Sequence, residues 1–121
     1  MPNLFTSFYE QFPEGFIVAE QNQVLIGFTI GMPIIQDHAR ILMLSVKPSY
    51  QRQHIGSQLL SALLDVFNRH HLTHITLEVK TDNEKALYFY QHHNFKIIDT
   101  IQNFYQNGES AFIMRRVSQP G

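Results

Sequence analysis

The sequence predicts a single α/β domain built on a mixed β-sheet that ends in an antiparallel hairpin. Three observations lead to this fold class. Strand-like and helix-like patterns alternate along the 121 residues. The run "RILMLSV" is apolar on both faces, as in the centre of a covered sheet. The dipeptide Asn107-Gly108 is a strong hairpin signal. One domain is expected because natural domains mostly span roughly 100 to 150 residues.

The first predicted elements are a short helix, a hairpin and a central strand. Apolar residues recur at helical spacing from Leu4 to Phe12, and Pro13 ends the pattern. The runs "GFIVAE" and "VLIGFTIGM" are strand-like and flank Gln21-Asn22-Gln23, which predicts a hairpin. The run "RILMLSV", residues 40–46, is then the third strand.

The second half alternates helix, strand, helix and hairpin. Apolar residues at helical spacing predict a long amphipathic helix from Ile55 to Arg69, and "HITLEV" has the alternation of a strand. The segment "TDNEKALYFYQHH" predicts a second helix with Thr81 and Asn83 as alternative N-caps. The runs "FKIIDTIQNFYQ" and "ESAFIMRRV" flank Asn107-Gly108 and predict the last hairpin. The predicted order is α-β-β-β-α-β-α-β-β.

Composition excludes several classes of protein. A formal net charge of -1 gives no basic field for nucleic acid, and the absence of cysteine excludes disulfides and thiolate chemistry. We find no secretory signal and no run of about 18 apolar residues that could cross a membrane, so we expect a cytoplasmic protein. Seven histidines are present, but their spacing matches no metal motif, so we predict no metal site. Residues 117–121 are expected to form a flexible tail of the single domain 1–121.

The segment "VKPSYQRQHIGSQLL" joins the central strand to the long helix and predicts an anion site. Backbone N–H groups and the positive end of the helix dipole converge where such a loop enters a helix. The segment matches neither the Walker loop nor the dinucleotide-binding glycine motif. A glycine in a tight turn with solvated polar neighbours explains Gly56 equally well, so both interpretations stay open at this point.

Four segments together resemble the GNAT acyltransferase superfamily over about 105 residues. "VKPSYQRQHIGSQLL" resembles the family's pyrophosphate loop, whose usual form is Gln/Arg-x-x-Gly-x-Gly/Ala. "LEVKTDNEKALYFYQHHNF" resembles its second signature, and "GFIVAEQNQVLIGFTIG" resembles its early hairpin. The last hairpin, "NFYQNGESAFIM", is similar to that of the ribosomal-protein and archaeal N-terminal acetyltransferases. The resemblance implies a GNAT-like, mostly antiparallel mixed sheet with helices on both faces and acetyl-CoA as co-substrate.

The sequence departs from the family pattern at three places. His54 stands where the inner glycine of the loop is usual, and Asn94 replaces the glycine that usually follows the second helix. Asparagine is the next-best residue for a left-handed helix C-cap, so we expect that turn to form. The chain also begins where the family's second helix would, so we expect it to lack the usual first strand and helix.

The resemblance implies a direct transfer of the acetyl group to an amine. Glu78 and Tyr90 match the family's general base and general acid, and we expect both side chains on one side of the sheet with the thioester between them. Alternatively, Glu78 is an outward strand carboxylate and Tyr90 a packing aromatic. A covalent intermediate is not expected, because there is no cysteine and no serine with a recognisable base.

The remaining site residues are also implied by the resemblance. A splay between the central strand and the next would expose backbone groups of Leu44 and Val46 to the pantetheine arm. Tyr105 and Phe28 would contact the acceptor, although packing on the sheet explains both. Asn83 would contact the cofactor, or only cap its helix. The pyrophosphate would be held by Gln51, Arg52, Gln53, His54, Gly56 and Ser57.

Two functions follow from this sequence. The first is an acetyl-CoA-dependent N-acetyltransferase whose acceptor is an amine, with a protein or peptide N-terminus as the implied candidate. The second is a degenerate relative that binds CoA or a partner protein without turnover, favoured by His54 and the shortened N-terminus. Self-association would cover an exposed edge strand, so we also expect a homodimer.

Overall fold

The computed structural model describes residues 10–118. Six strands and two α-helices lie wholly within that range, with a short 3-10 turn before β1 and another before α1. Their bounds are β1 Phe16–Gln21, β2 Val24–Pro33, β3 His38–Val46, α1 Ile55–Arg69, β4 His74–Lys80, α2 Glu84–His92, β5 Lys96–Ile101 and β6 Ala111–Val117.

The strands form one sheet in the order β1-β2-β3-β4-β6-β5. Only the β3–β4 pair is parallel, and every other neighbouring pair is antiparallel. The sheet is therefore mixed and mostly antiparallel, as predicted. Strands β1 and β5 are its two edges; the homodimer that would cover an edge stays a prediction.

Both helices pack against the same face of the sheet. Residues Ile75, Leu77 and Val79 alternate along β4 and are buried in one cluster with Phe67 of α1 and with Phe95. Ala86, Leu87, Phe89 and Tyr90 of α2 pack against that same cluster. Because side chains alternate across a strand, Thr76, Glu78 and Lys80 extend from the opposite face. The helix predicted over Leu4 to Phe12 lies largely outside the described residues, so coverage of the opposite face stays a prediction.

Helix α1 approaches the sheet closely because β2 presents a glycine beneath it. A Cβ atom at Gly31 would lie 2.5 Å from Cζ of Phe67, which real Cβ atoms do not allow. The aromatic ring therefore occupies the space that any other side chain would fill. This contact fixes the depth of α1 on the sheet and, with it, the position of the helix N-terminus.

Both helices end in a left-handed residue that is not glycine. Asn94 has φ 72°, the Phe95 N–H donates to the Tyr90 carbonyl and the Asn94 N–H donates to the Gln91 carbonyl. These bonds form a Schellman motif, which confirms the C-cap predicted for Asn94. At the end of α1, His71 adopts φ 59° and makes the same kind of turn.

Both predicted hairpin turns are present, but the strands of the second hairpin are shorter than predicted. Asn22 and Gln23 both have positive φ between the paired residues Gln21 and Val24, so the first hairpin forms as predicted with a two-residue turn. In the second, Gly108 has φ 88° and its N–H donates to the Tyr105 carbonyl, so the predicted turn is present. The flanking strands are shorter than predicted, because β5 stops at Ile101 and β6 begins at Ala111.

Two further features concern the ends of the chain and its helices. Val117, which we assigned to a flexible tail, is the last residue of β6 and pairs with His74. Residues 119–121 lie outside the described range.

Neither helix of the described part of the chain has the length and hydropathy that a membrane span requires.

Candidate active site

Strands β3 and β4 diverge after a short paired region, as the family resemblance implies. Their register contains three pairs, His38 with His74, Ala39 with Ile75 and Arg40 with Thr76. Beyond these pairs β3 continues to Val46 and β4 to Lys80 without pairing to each other. The divergence opens a gap through the sheet between the C-terminal halves of two neighbouring strands.

A β-bulge turns the C-terminal half of β3 towards the helices. Ile30 pairs with Met43 and Gly31 pairs with Ile41, so Leu42 is an extra residue in β3. An extra residue reverses the alternation of the side chains that follow it. Leu44 and Val46 consequently lie on the helix side, where both pack against Ile55 and Leu59 of α1.

The loop after β3 leads into a helix N-terminus without a side-chain cap. Arg52 and His54 have φ of 68° and 62°, and His54 is the N-cap residue of α1 in left-handed conformation. The His54 side chain makes no capping hydrogen bond to the first amides of α1. Because the first N–H groups of a helix have no partners within it, this end of α1 suits an anion.

A groove of about 450 Å³ opens at this helix end and runs between α1 and α2. Its volume lies within the range of small-molecule sites. Eight of the nine residues predicted to bind a cofactor line it: Leu44, Val46, Gln51, Arg52, His54, Gly56, Ser57 and Asn83. The ninth, Gln53, instead lines a separate depression between β1 and α1.

The groove favours a negatively charged ligand. Its lining includes Arg52, Lys85 and three histidines, and none of the described lining residues is a carboxylate. Lys85 Nζ donates to Gln51 Oε1 at 2.8 Å, and Gln51 Nε2 donates to the Val46 carbonyl at 3.1 Å. The Val46 carbonyl, predicted to meet a pantetheine arm, thus accepts one hydrogen bond from Gln51 and keeps a second lone pair for such a ligand.

The structure brings together Ser57 and His93, which the sequence analysis did not. Ser57 Oγ lies 3.0 Å from His93 Nε2, so the first turn of α1 is joined to the C-terminal end of α2. Burial, then neighbouring His92 and Arg116, lowers the pKa of His93. In a hydrolase triad, a carboxylate orients the imidazole that acts as the base. The charged neighbour of His93 is instead the cation Arg116. The pair is therefore better suited to bind an anion than to activate the serine as a nucleophile.

Tyr90 lines the inner part of the groove and is held rigidly. Its ring packs edge-on against Phe95 at 5.6 Å, and Phe95 is fixed by the Schellman turn at Asn94. Burial raises the pKa of Tyr90 to about 12, so the phenol is protonated at any physiological pH. No described side chain forms a hydrogen bond with its hydroxyl, which is therefore available to a ligand in the groove.

Glu78 lies on the face of the sheet opposite to Tyr90, so our expectation that both share one side is wrong. The buried face of β4 carries Leu77 and Val79, and Glu78 alternates with them. Arg40 binds both of its oxygens, with Nη2 2.8 Å from Oε1 and Nε 3.1 Å from Oε2. Tyr90 lines the groove on the helix side of the sheet, whereas Glu78 lies on the opposite face of β4, beside the point where β3 and β4 stop pairing.

The other predicted acceptor residues lie on the same face as Glu78. Lys80 Nζ is 3.1 Å from Glu109 Oε2 and 5.4 Å from the centre of the Tyr105 ring. Burial is the main factor that raises the pKa of Tyr105, with a further contribution from the charge of Glu78. Phe28 pairs with Ser45 on this face and stacks on Phe16 at 6.2 Å. Phe28 is on β2, which β3 separates from the strand of Glu78.

Asn83 is the N-cap of α2, which was one of the two roles that the sequence analysis gave it. Its Oδ1 accepts from the Ala86 N–H at 3.1 Å, and α2 begins at Glu84 rather than at Thr81. Asn83 also lines the groove. Sequence reasoning missed Phe89, His92 and His93 as lining residues, although their spacing of three to four residues places them along one side of a helix.

The left-handed conformation of His54 leads to a stability prediction. A non-glycine residue in the left-handed region destabilises the folded state by about 1–2 kcal/mol. Glycine removes this strain, but part of the gain is offset because glycine loses more backbone entropy on folding. We expect His54→Gly to raise the free energy of unfolding by about 0.5–1 kcal/mol in urea titrations. His54→Val should lower it by at least about 1 kcal/mol, because a β-branched residue is strongly disfavoured there. Equal stabilities of the two variants would contradict this assignment.

Known proteins resemble this chain in sequence and structure. The model of the acetyltransferase (GNAT) family matches residues 1–95. N-alpha-acetyltransferase 30 of Schizosaccharomyces pombe is 32% identical over 113 residues, which cover 90% of this chain and 75% of that protein. Two solved structures share the fold. Ard1 of Thermoplasma volcanium has a TM-score of 0.92 at 30% identity and covers 96% of this chain and 78% of its own.

The second structure is the ribosomal-protein-S18-alanine N-acetyltransferase of Escherichia coli. Its TM-score is 0.79 at 28% identity, and the match covers 100% of this chain and 81% of the other. The family model covers well over half of the sequence, and the groove lies where the resemblance placed the cofactor. The chain therefore belongs to the GNAT family of acetyltransferases, enzymes that take the acetyl group from acetyl-CoA.

Proposed function

We propose that this chain transfers the acetyl group of acetyl-CoA to the α-amine of a protein or peptide N-terminus. The main support is the groove, which begins at the N-terminus of α1, carries cations and no described carboxylate, and is lined by Leu44 and Val46 of β3 and by Tyr90. The similar proteins from Schizosaccharomyces pombe and Escherichia coli are named for N-alpha- and ribosomal-protein-alanine acetylation.

In this proposal the two ends of the cofactor bind to different parts of the groove. The pyrophosphate binds the first amides of α1, with Arg52 supplying positive charge and Gly56 allowing close approach. The pantetheine arm then runs along the C-terminal half of β3, beside Leu44 and Val46. The thioester lies in the gap between β3 and β4, within the groove lined by Tyr90.

The acceptor amine approaches from the opposite face, where Glu78 lies. Glu78 takes a proton from the amine, directly or through water, and the neutral nitrogen attacks the thioester carbonyl. An α-amine has a pKa near 8 against about 10.4 for lysine, so an N-terminus is the acceptor that a carboxylate deprotonates more easily. The attack forms the carbon–nitrogen bond, and the nitrogen of the tetrahedral intermediate then loses its second proton to water. Collapse of the intermediate breaks the carbon–sulfur bond and leaves the amide.

Tyr90 stabilises the sulfur that leaves. A thiol has an ordinary pKa of about 8.5, well below the pKa of about 12 of the buried phenol. Complete proton transfer from Tyr90 to the thiolate is therefore unfavourable. Tyr90 acts as an acid in the limited sense that it donates a hydrogen bond as negative charge develops on sulfur, and the thiolate takes its proton from water.

The second candidate, a relative that binds CoA without turnover, is favoured by the Arg40–Glu78 pair. Both carboxylate oxygens are occupied by one guanidinium, so an incoming amine has to compete with Arg40. Thiol release from acetyl-CoA with a panel of short peptides separates the candidates. The transferase predicts release with free N-termini and none with N-terminally blocked peptides that keep a lysine. Cofactor binding without release for any peptide would favour the second candidate.

The affinity for CoA is expected to increase as the pH falls from about 8 to about 6. The lowered pKa of His93 keeps its imidazole neutral in the unliganded protein at pH 7. Phosphate oxygens bound beside Ser57 favour the protonated form, so binding takes up a proton and is stronger at lower pH. His93→Gln retains a hydrogen-bonding side chain but cannot titrate.

Calorimetry in buffers of different ionisation enthalpy measures this proton uptake. We expect the wild type to take up more protons than His93→Gln, and its advantage in affinity to grow towards pH 6. His70→Gln is the matched control, because it removes a histidine that bonds to Glu14 and does not line the groove. Identical proton uptake by the wild type and His93→Gln would contradict the assignment.

A further inference from the structure

A cluster of metal-binding side chains lies at the start of β3 and β4, at the end of the sheet away from the groove. Asp37, His38 and His74 each offer a ligand atom, and these atoms lie within 4.8 Å of one another. His38 and His74 are directly paired in the sheet, and their rings stack at 4.7 Å. The cluster forms because two neighbouring strands each begin with a histidine, and Asp37 precedes one of them.

We propose that Asp37, His38 and His74 bind one divalent transition-metal ion, with zinc as the best chemical match. Two imidazoles and one carboxylate are ligands that zinc prefers, whereas magnesium and calcium favour several oxygen ligands. Three protein ligands leave one tetrahedral position for water or an external ligand. This inference is independent of the proposed transferase function.

The Asp37 carboxylate lies close to both imidazoles, one oxygen beside each, and the stacked rings have to rotate before both can face one ion. Ligand atoms about 2.1 Å from a tetrahedral zinc lie roughly 3.4 Å apart. His38 Nδ1 is 3.0 Å from Asp37 Oδ1, and His74 Nδ1 is 3.6 Å from Asp37 Oδ2. The His38 Nδ1 atom is shielded from solvent and forms no well-shaped hydrogen bond despite its distance from Asp37. A polar atom in that position is better satisfied by a metal than by the carboxylate alone.

The hydroxyl of Thr73 completes the local arrangement. It lies 3.0 Å from His74 Nδ1 and 3.5 Å from Asp37 Oδ2. To bind a metal, His74 has to release this hydroxyl, which can then hydrogen-bond to the carboxylate and orient it. The Thr73 and His74 N–H groups both donate to the Asp37 carbonyl, at 2.8 Å and 3.1 Å, so the backbone already holds Asp37 beside β4.

A bound ion would link the only paired region of β3 and β4. Below their divergence these strands share three register pairs, of which His38 with His74 is the first. Binding to the folded chain alone raises its stability, and zinc at a hundredfold excess over its dissociation constant should raise Tm by roughly 10 °C. Leu44 is six residues along β3 from His38, or roughly 20 Å, so CoA binding should not require the metal.

The test is zinc titration of the untagged chain by calorimetry, with cobalt absorption spectra to report the ligand geometry. We expect one zinc ion per chain, and at least about tenfold weaker binding in each of Asp37→Asn, His38→Gln and His74→Gln. His70→Gln is the matched control, because His70 is close in sequence but bonds to Glu14 outside the cluster. Unfolding curves in EDTA show whether each variant is folded.

Two results would overturn the proposal. One is the absence of saturable zinc binding and of any zinc-dependent rise in Tm for the folded wild type. The other is zinc binding that survives in a folded His38→Gln/His74→Gln double variant, or that is weakened equally by His70→Gln.

Discussion

Replacing Tyr90 by phenylalanine should lower kcat by about 10²-fold or more, with little change in the dissociation constant for CoA. The ring of Tyr90 packs against Phe89 and Phe95, and phenylalanine preserves both contacts. The change removes only the hydroxyl, which forms no hydrogen bond with a described residue and faces a ligand groove. The loss should therefore appear in the chemical step and not in binding.

Steady-state rates with a peptide acceptor, together with CoA titrations, separate the two effects. Tyr50→Phe is a suitable control because Tyr50 packs beside Ile55 and is not among the residues that line the groove. We expect that variant to keep its kcat. Equal losses in kcat and in CoA affinity for Tyr90→Phe would mean that Tyr90 only packs the groove wall.

Replacing Glu78 by glutamine should also lower kcat/KM for a peptide acceptor by about 10²-fold near pH 7. Glutamine keeps the shape of the side chain but cannot accept the proton of an ammonium group. The difference in kcat/KM between the wild type and the variant should become smaller above about pH 9. An α-amine with a pKa near 8 is then already neutral and needs no base. A pH–rate profile of wild type and variant measures this rescue.

Arg40→Gln is the matched control for Glu78→Gln. Both substitutions break the same ion pair between β3 and β4, but only one removes the proposed base. If Glu78 is the base, Arg40→Gln should reduce activity much less than Glu78→Gln, although both variants should lose similar stability. Equal losses of activity, with no rescue at high pH, would assign the pair a structural role only.

The proposed donor and acceptor sides of the site lie on opposite faces of the sheet. The groove and Tyr90 are on the helix side, and Glu78, Arg40 and Tyr105 are on the other. In our proposal the divergence of β3 and β4 joins these two faces into one reaction centre. A continuously paired sheet with the same side chains would keep base and acid apart, so the parallel pair of strands is central to the proposed chemistry.

The sequence predicts local elements better than contacts across the sheet. Helix α1 has the predicted bounds, Ile55 and Arg69, because its apolar spacing is regular and residues at both ends break the pattern. The sequence offers both Thr81 and Asn83 as the N-cap of α2, so it does not fix the first residue of this helix. In the structure Asn83 is the N-cap. Asn107-Gly108 predicted a turn correctly, but a turn signal does not determine how far the flanking strands pair.

Contacts between distant segments could not be predicted in the same way. Ser57 and His93 are 36 residues apart, and their contact depends on how two helices pack over one groove. Arg40 and Glu78 meet because the register of a parallel pair places Arg40 opposite Thr76, a detail without a sequence signal. The bulge at Leu42, which turns Leu44 and Val46 towards the groove, was likewise not predicted.

A crystal structure with a peptide joined through its α-amine to the acetyl carbon of CoA tests the central claim most directly. We expect the pyrophosphate at the first amides of α1, the sulfur near the Tyr90 hydroxyl, and the peptide leaving through the gap on the face of Glu78. A conjugate whose pyrophosphate lies away from that helix end, or whose peptide stays on the helix side of the sheet, would contradict the account.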